Sequence, residues 1–200
     1  MVTRATATRE RIVERAARAF NRHGYVGTTM AELLEEVGLR KGGLYNHFAS
    51  KEQLAVEAFD FAVSRIGLRF EAALAAADTS PKRLLAVIAV MSGLVNDPAL
   101  PGGCPVLRTA VESVEGNTAL RESARQAMTS WQRLVGRIVR DGVGAGQLAP
   151  GTDPREVATV LTATLEGAVM LSMLYGDPRY MTRAAKHLTG YVHSLERTRA

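Results

Sequence analysis

The sequence predicts an all-α protein of about nine helices, with a three-helix N-terminal domain followed by a larger helical domain. Apolar residues recur at three- and four-residue spacing along most of the 200 residues. No stretch of convincing length alternates apolar and polar residues, as a half-buried strand would. Glycine, proline and helix-capping residues separate the apolar segments at intervals typical of helices.

The first predicted helix follows a loose basic arm, residues 1–7. It begins near Thr8 and ends at His23-Gly24, with an apolar stripe that faces a core. The stripe consists of Ile12, Val13, Ala16, Ala17 and Phe20.

The second and third predicted helices are short and are separated by a tight turn. Thr29 and Glu32 form a capping-box pattern, so the second helix should begin near Met30. Gly38 should end it, because glycine adopts the left-handed conformation without a steric penalty. The third helix is predicted over about residues 40–48.

A long helix should begin at Ser50, which is a good N-cap, and continue to about Ala77. The domain boundary is therefore predicted inside a rigid element, with residues 1–50 and 51–200 as the two domains. A loop rich in glycine and proline is predicted over 96–105. The remaining helices are predicted over about 81–96, 105–115, 117–143, 154–175 and 178–197.

Basic residues are concentrated at the N-terminal end of a chain whose formal net charge is +5. Residues 1–51 contain nine Arg or Lys against five Glu, whereas the rest is nearly balanced. A basic excess on one small domain is typical of proteins that bind phosphate backbones. The single cysteine excludes an intramolecular disulfide and fits a reducing compartment. No signal peptide or convincing membrane span is recognised, so we expect a cytoplasmic protein.

The region around the turn resembles the N-terminal DNA-binding domain of the tetracycline-repressor (TetR) family over roughly residues 8–55. The motifs that carry the resemblance are Gly24-Tyr25, Thr28-Thr29-Met30, Val37-Gly38-Leu39, Lys41-Gly42, Leu44-Tyr45, His47-Phe48 and Ser50-Lys51-Glu52. The resemblance implies a helix-turn-helix in residues 1–50 and an effector-binding and dimerisation domain in residues 51–200. It also implies a dimeric repressor that binds a palindromic double-stranded DNA operator and is released by a small molecule.

The outer face of the third helix should lie in a DNA groove. Gly42 and Gly43 remove side chains where a backbone must approach a phosphate closely. Arg40 departs from the family pattern, in which Ser or Thr often caps this helix, and adds a positive charge there. The candidate DNA-contacting residues are Thr28, Thr29, Arg40, Lys41, Gly42, Gly43, Tyr45, Asn46, His47 and Lys51.

A ligand pocket is expected among soft, bulky apolar residues on helices of the second domain; for each of them the alternative, and the commoner case, is ordinary core. The candidates are Met91, Val95, Cys104, Leu107, Val111, Met128, Trp131, Val135, Met170 and Met173. Cys104 is also a candidate redox sensor, for which a plain buried thiol is the alternative.

The last two predicted helices are apolar on more than one side, so one side of each should face a second copy of the chain. The predicted homodimer interface consists of Val160, Ala163, Gly167, Met170, Leu174, Met181, Ala185, Leu188 and Val192. The alternative is that both stripes are buried within one chain.

Enzymatic chemistry is not indicated by any arrangement of residues. The four histidines do not pair at metal-ligand spacing, and no nucleophile elbow is present. We therefore expect no enzyme, no metal and no cofactor. The alternative to a DNA-binding regulator is a helical small-molecule-binding or interaction protein without sequence-specific DNA binding.

Overall fold

The computed structural model describes residues 4–112 and 117–197. These ranges contain nine α-helices and no β-strand, which confirms the predicted fold class. A 3-10 turn, Leu94–Asn96, follows the fifth helix. The helices are α1 (Arg4–His23), α2 (Met30–Val37), α3 (Lys41–Tyr45), α4 (Lys51–Ala75), α5 (Ser80–Gly93), α6 (Pro105–Glu112), α7 (Thr118–Gly144), α8 (Pro154–Tyr175) and α9 (Arg179–Ser194).

The ends of α2 are fixed by the residues that predicted them. The Glu32 N–H donates to the Thr29 hydroxyl at 3.2 Å, and the Thr29 N–H donates to the Glu32 carboxylate at 2.8 Å. Both halves of the capping box are therefore formed. Gly38 ends the helix with a left-handed φ of 70°.

Several predicted bounds differ from the structure. Helix α1 begins at Arg4 rather than near Thr8, because residues 4–7 contain no helix breaker; residues 1–3 of the predicted arm lie outside the described residues. Helix α3 ends at Tyr45 rather than Phe48, and the N–H groups of His47 and Phe48 both donate to the Leu44 carbonyl in a tightened turn. The last predicted residues of α6, 113–115, are likewise outside the description.

The chain divides by packing into two units. The first contains residues 1–65 and 98–126, and the second contains residues 66–97 and 127–200. This division differs from the sequence-based boundary at residue 50, since residues 51–65 and 98–126 pack in the same unit as α1–α3. Fully buried side chains mark a core in each unit: Ile12, Leu33, Leu44, Phe48 and Leu54 in the first, and Leu84, Met91, Leu161, Leu165 and Leu188 in the second.

Helix α8 is the one helix of the described ranges that is long and apolar enough to cross a membrane, with a mean hydropathy of 1.7 over its most apolar window. Half of that window is buried inside the protein. Core helices of soluble proteins commonly have this length and hydropathy, so the helix is weak evidence for a membrane span.

Candidate nucleic-acid interface

The position of α3 is set by burial rather than by a side-chain cap. Arg40 occupies the N-cap position in an extended conformation, and its side chain makes no capping hydrogen bond. Leu44 and the following Phe48 are each only 2% exposed, so they anchor α3 and the turn after it in the core of the first unit. The side chain of Arg40 is exposed and therefore available to an external partner.

The solvent face of α3 and the turn after it brings together seven of the ten candidate DNA-contacting residues. Arg40, Lys41, Gly42, Tyr45 and Asn46 are exposed, with Tyr45 at 43%, and Gly43 and His47 are half-buried. A Cβ at Gly42 would have no neighbouring atom within 4 Å, so the backbone there is open to a partner. Charge, hydrogen-bonding groups and bare backbone thus share one surface, which suits contact with phosphates and base edges.

The side chains of the other three candidates make hydrogen bonds to other residues of the chain. Thr28 does not fit the prediction, because it is buried and its hydroxyl donates to the Gly24 carbonyl at 2.6 Å. The Thr29 hydroxyl is occupied by the capping box of α2. The Lys51 ammonium donates to the Tyr25 carbonyl at 2.7 Å and lies 4.5 Å from the centre of the Tyr25 ring, and partial burial lowers its pKa.

Contacts that Asn21 of α1 and Tyr25, just after α1, make with the segment 100–112 were not predicted. The Asn21 side chain donates to the carbonyls of Leu100, Pro101 and Gly103. The Tyr25 N–H donates to the Glu112 carboxylate at 2.7 Å. The partners are about 80 to 90 residues apart in the chain, with separations of 79 and 87 for the Leu100 and Glu112 contacts, so no local pattern indicates them.

The first unit also contains a cavity of about 390 Å³. Its walls come from α1, the residues Tyr25 and Val26 that follow it, α4, α6 and the beginning of α7. None of the ten predicted ligand-binding residues lines it. We call it the α1–α6 cavity.

The ten residues predicted to line a pocket are spread over both units, with three in the first and seven in the second. Met91, Cys104 and Val135 are buried, and Val95, Leu107, Met128 and Trp131 are half-buried. Trp131 stacks edge-on against Phe70. Val111, Met170 and Met173 are exposed by 69%, 53% and 41%, so these three do not fit the interior of a pocket within one chain.

The predicted dimer surface is exposed on α8 but not on α9. On α8 the residues Ala163, Met170 and Leu174 are exposed, and Val160 and Gly167 are half-buried. On α9 the interface prediction does not fit Met181, Leu188 and Val192, which are at most 3% exposed and belong to the core of the second unit. Ala185 is half-buried.

No group of three or more His, Cys, Asp or Glu residues that could hold a metal ion occurs within residues 4–112 and 117–197. The ionisable groups with perturbed pKa values there are mainly surface pairs. The Arg125 guanidinium, for example, lowers the pKa of Glu122 to about 2 through hydrogen bonds, to which Gln126 adds another.

Comparison with known proteins assigns both parts of the chain. Residues 12–58 match the family described as bacterial regulatory proteins, tetR family, and residues 80–188 match the tetracyclin repressor-like C-terminal domain. Among curated relatives, the HTH-type transcriptional regulator LmrA of Bacillus subtilis is 29% identical over 83% of this chain and 86% of its own length. The HTH-type transcriptional repressor ComR of Escherichia coli is 26% identical over 80% of this chain and 76% of its own.

Solved structures agree with this assignment. A TetR transcriptional regulator from Chloroflexus aurantiacus is 37% identical with a TM-score of 0.92, and the match covers 98% of both chains. The TetR family regulator CifR, solved with a 26-base-pair operator DNA, is 25% identical with a TM-score of 0.79 over 88% of this chain and 94% of that chain. The chain therefore belongs to the TetR family of DNA-binding transcriptional regulators.

Proposed function

We propose that this regulator is a dimeric repressor that binds a palindromic operator through the exposed face of α3 and leaves it when a small molecule binds. The observation that carries the proposal is the surface of Arg40, Lys41, Gly42, Tyr45 and Asn46, all of them exposed around an anchored helix. The similarity to ComR, named as a repressor, and to CifR, solved on operator DNA, supports the same role.

Each residue type on this face has a distinct role. Arg40 and Lys41 neutralise phosphates and supply most of the affinity, which therefore depends on salt. The Tyr45 hydroxyl and the Asn46 amide hydrogen-bond to phosphates or base edges. Gly42 allows the backbone to approach the DNA, because no side chain stands between them. Hydrogen bonds to phosphates outnumber those to bases.

A dimer is proposed because a palindromic site requires two recognition helices. These enter successive major grooves about 34–36 Å apart. The exposed apolar stripe of α8 around Gly167 is the surface proposed to pair with a second copy, since monomeric proteins rarely leave such stripes uncovered.

We propose that the protein leaves the operator because the effector shifts the population of its conformations. A small molecule that binds better to a conformation with a different spacing of the two recognition helices removes the protein from the operator. To switch nearly completely, the molecule must favour that conformation by roughly 5 kcal/mol.

The experiment that tests the DNA-binding surface is a gel-shift titration on an operator selected from fragmented genomic DNA. Lys41→Ala and Tyr45→Ala should each lower the affinity by about 1–3 kcal/mol, because each removes a contact to DNA. The control is Arg133→Ala, which removes an exposed charge on α7 and should leave the affinity unchanged. Normal binding by both α3 variants would refute the proposed surface.

A further inference from the structure

We propose that the α1–α6 cavity is an effector site for an uncharged, amphipathic small molecule that carries a hydrogen-bond donor. None of the ten residues that the sequence predicted to line a ligand pocket lines this cavity. The existence of the site does not depend on the proposed function, whereas its effect on DNA binding rests on it.

The size and the walls of the cavity suit a small organic molecule. Its volume of about 390 Å³ lies within the range of roughly 300–1,000 Å³ that is typical of ligand pockets. Aromatic and aliphatic side chains form most of the wall, among them Phe20, Tyr25, Phe59 and Leu120. Burying the apolar part of a ligand against such a wall is favourable, because it removes apolar surface from water.

Asn21 supplies the polar recognition element. It lines the cavity and is only 4% exposed. Its Nδ2 donates to the carbonyls of Leu100, Pro101 and Gly103 at 3.2, 3.0 and 3.0 Å. Carbonyl oxygens can only accept, so these contacts fix which end of the amide faces them.

The other end of this amide is the unsatisfied one. The buried Oδ1 of Asn21 has no hydrogen-bond partner in the part of the chain that the structure describes. An acceptor left unpaired in the interior is destabilising, because it has lost its hydrogen bonds to water. A ligand N–H or O–H that reaches it therefore makes a contact that no described residue of the chain makes.

The charges around the cavity favour an uncharged ligand. Arg108 and Glu112 pair with each other at 3.5 Å, and the Glu112 carboxylate also accepts the Tyr25 N–H. Glu52 is exposed to solvent. A ligand charge would therefore compete with Glu112, Arg108 or water for its counter-charge among these three groups, and a charge buried without a partner is costly.

The position of the cavity couples it to the helix-turn-helix. Asn21 and Tyr25 belong to the end of α1 and the segment that leads into α2, and they hold the loop 100–103 and α6. The approach is close: a Cβ at Gly102 would overlap the Asn21 carbonyl oxygen, and one at Gly24 would overlap the Glu112 carboxylate. A ligand that touches Asn21 and Tyr25 therefore acts on the segment that leads directly into α2.

The binding test uses N-phenyl-1-naphthylamine, an uncharged probe with two aromatic ring systems joined through an N–H, whose fluorescence rises in apolar surroundings. Saturable binding at one site per chain is expected. Ala58→Leu on α4 and Thr109→Phe on α6 fill the cavity from different walls, and each should weaken binding at least tenfold. Leu68→Phe, at an exposed position outside the cavity, is the matched control and should bind normally.

The N-methylated form of the same probe tests the donor. It should bind several-fold more weakly, because it cannot donate to Asn21 Oδ1. Equal affinity for the two probes overturns the assigned ligand class. No saturable binding, or binding that neither filling variant weakens, overturns the site. Circular dichroism and thermal melting identify a filling variant that does not fold. Probe binding by the other filling variant then decides whether the cavity is the site.

The second arm measures operator affinity with and without saturating N-phenyl-1-naphthylamine. We expect the affinity of the unaltered protein to fall at least threefold, and that of Ala58→Leu and Thr109→Phe to stay constant. Probe binding without any change in operator affinity overturns the effector role. A protein that binds no operator even without the probe contradicts the proposed function instead, and the binding arm still decides whether the site exists.

Discussion

Thr29 and Glu32 show how a pair of side chains fixes the start of the helix-turn-helix. The Glu32 carboxylate accepts the backbone N–H and the hydroxyl of Thr29, and these hydrogen bonds lower the pKa of Glu32. A carboxyl group whose pKa is lower in the folded state stabilises the fold at pH values above its unfolded pKa. That contribution is lost as the pH falls through the folded pKa.

The capping box can be tested by denaturant unfolding. Thr29→Ala should reduce the free energy of unfolding by about 1 kcal/mol, because it leaves the Glu32 N–H without its acceptor. Glu32→Gln should also destabilise the protein at pH 7, and the difference from the unaltered protein should shrink as the pH falls below 4.5, the ordinary value for Glu. Glu35→Gln, on the same helix but outside the box, is the control and should leave the free energy of unfolding at pH 7 nearly unchanged.

At the scale of the element, α3 combines weak helix formers with an exposed face. Glycine in a helix costs roughly 1 kcal/mol relative to alanine. Gly42 has no atom within 4 Å of the position that a Cβ would take, so packing does not require it. We interpret this glycine as the place where the backbone approaches DNA.

Gly42→Ala separates stability from DNA binding. In the free protein the variant should be as stable as the original or up to about 1 kcal/mol more stable. Its operator affinity should fall, because the added methyl group stands between backbone and phosphate. Gly67→Ala on α4, where a Cβ also has no neighbour within 4 Å, is the matched control and should leave the affinity unaltered. Thermal melting and gel shifts on the same preparations measure both effects, and unchanged affinity of Gly42→Ala would contradict the interpretation.

Helix α8 carries the proposed dimer contact at Gly167. Its Cβ position is also open within one chain, so Gly167→Trp should fold but should clash with a helix of the second copy. Sedimentation should show monomers for this variant. Gly67→Trp places the same side chain on α4 and should remain dimeric. A dimeric Gly167→Trp protein would refute the α8 interface.

The sequence predicted those helix ends that depend on neighbouring residues. Thr29, Gly38, Asp153 and Gly176 cap α2 and α8 as expected, because caps act within a few residues. The early end of α3 was missed. Leu44 and Phe48 are four residues apart and both are buried, and this spacing occurs both in a helix and in the tightened turn that follows α3.

Periodicity also does not say which side of a helix faces inward. The stripe of Met181, Leu188 and Val192 on α9 was assigned to a partner, yet it forms core within the chain. The exposed stripe on α8 looked the same in the sequence. Only the packing of the second unit distinguishes the two, because both have helical spacing.

At the scale of the whole molecule, the family could be read from residues 24–54, where the informative residues are close in sequence, and the same residues supply the proposed DNA-contacting face. The α1–α6 cavity could not be read in this way, because it depends on contacts such as that between Asn21 and Gly103, 82 residues apart. Thr28 does not fit the predicted face, because it is buried and its hydroxyl donates to the Gly24 carbonyl.

The charge distribution along the chain predicts how DNA binding should depend on salt concentration. Residues 1–51 carry nine basic residues, and several of them must neutralise phosphates if this end binds DNA. The logarithm of the binding constant should then fall linearly with the logarithm of the salt concentration, with a slope of about −0.9 per phosphate contacted.

The measurement that tests the central claim most directly is a salt titration of binding to the selected operator, with a half-site and a scrambled duplex of equal length alongside. We expect tight binding to the full palindrome, weaker binding to the half-site and the scrambled duplex, and a steep salt dependence whose slope decreases in magnitude by about 1 in Lys41→Ala. Binding that is independent of salt and equal on all three duplexes would contradict the assignment of this chain as a sequence-specific DNA-binding regulator.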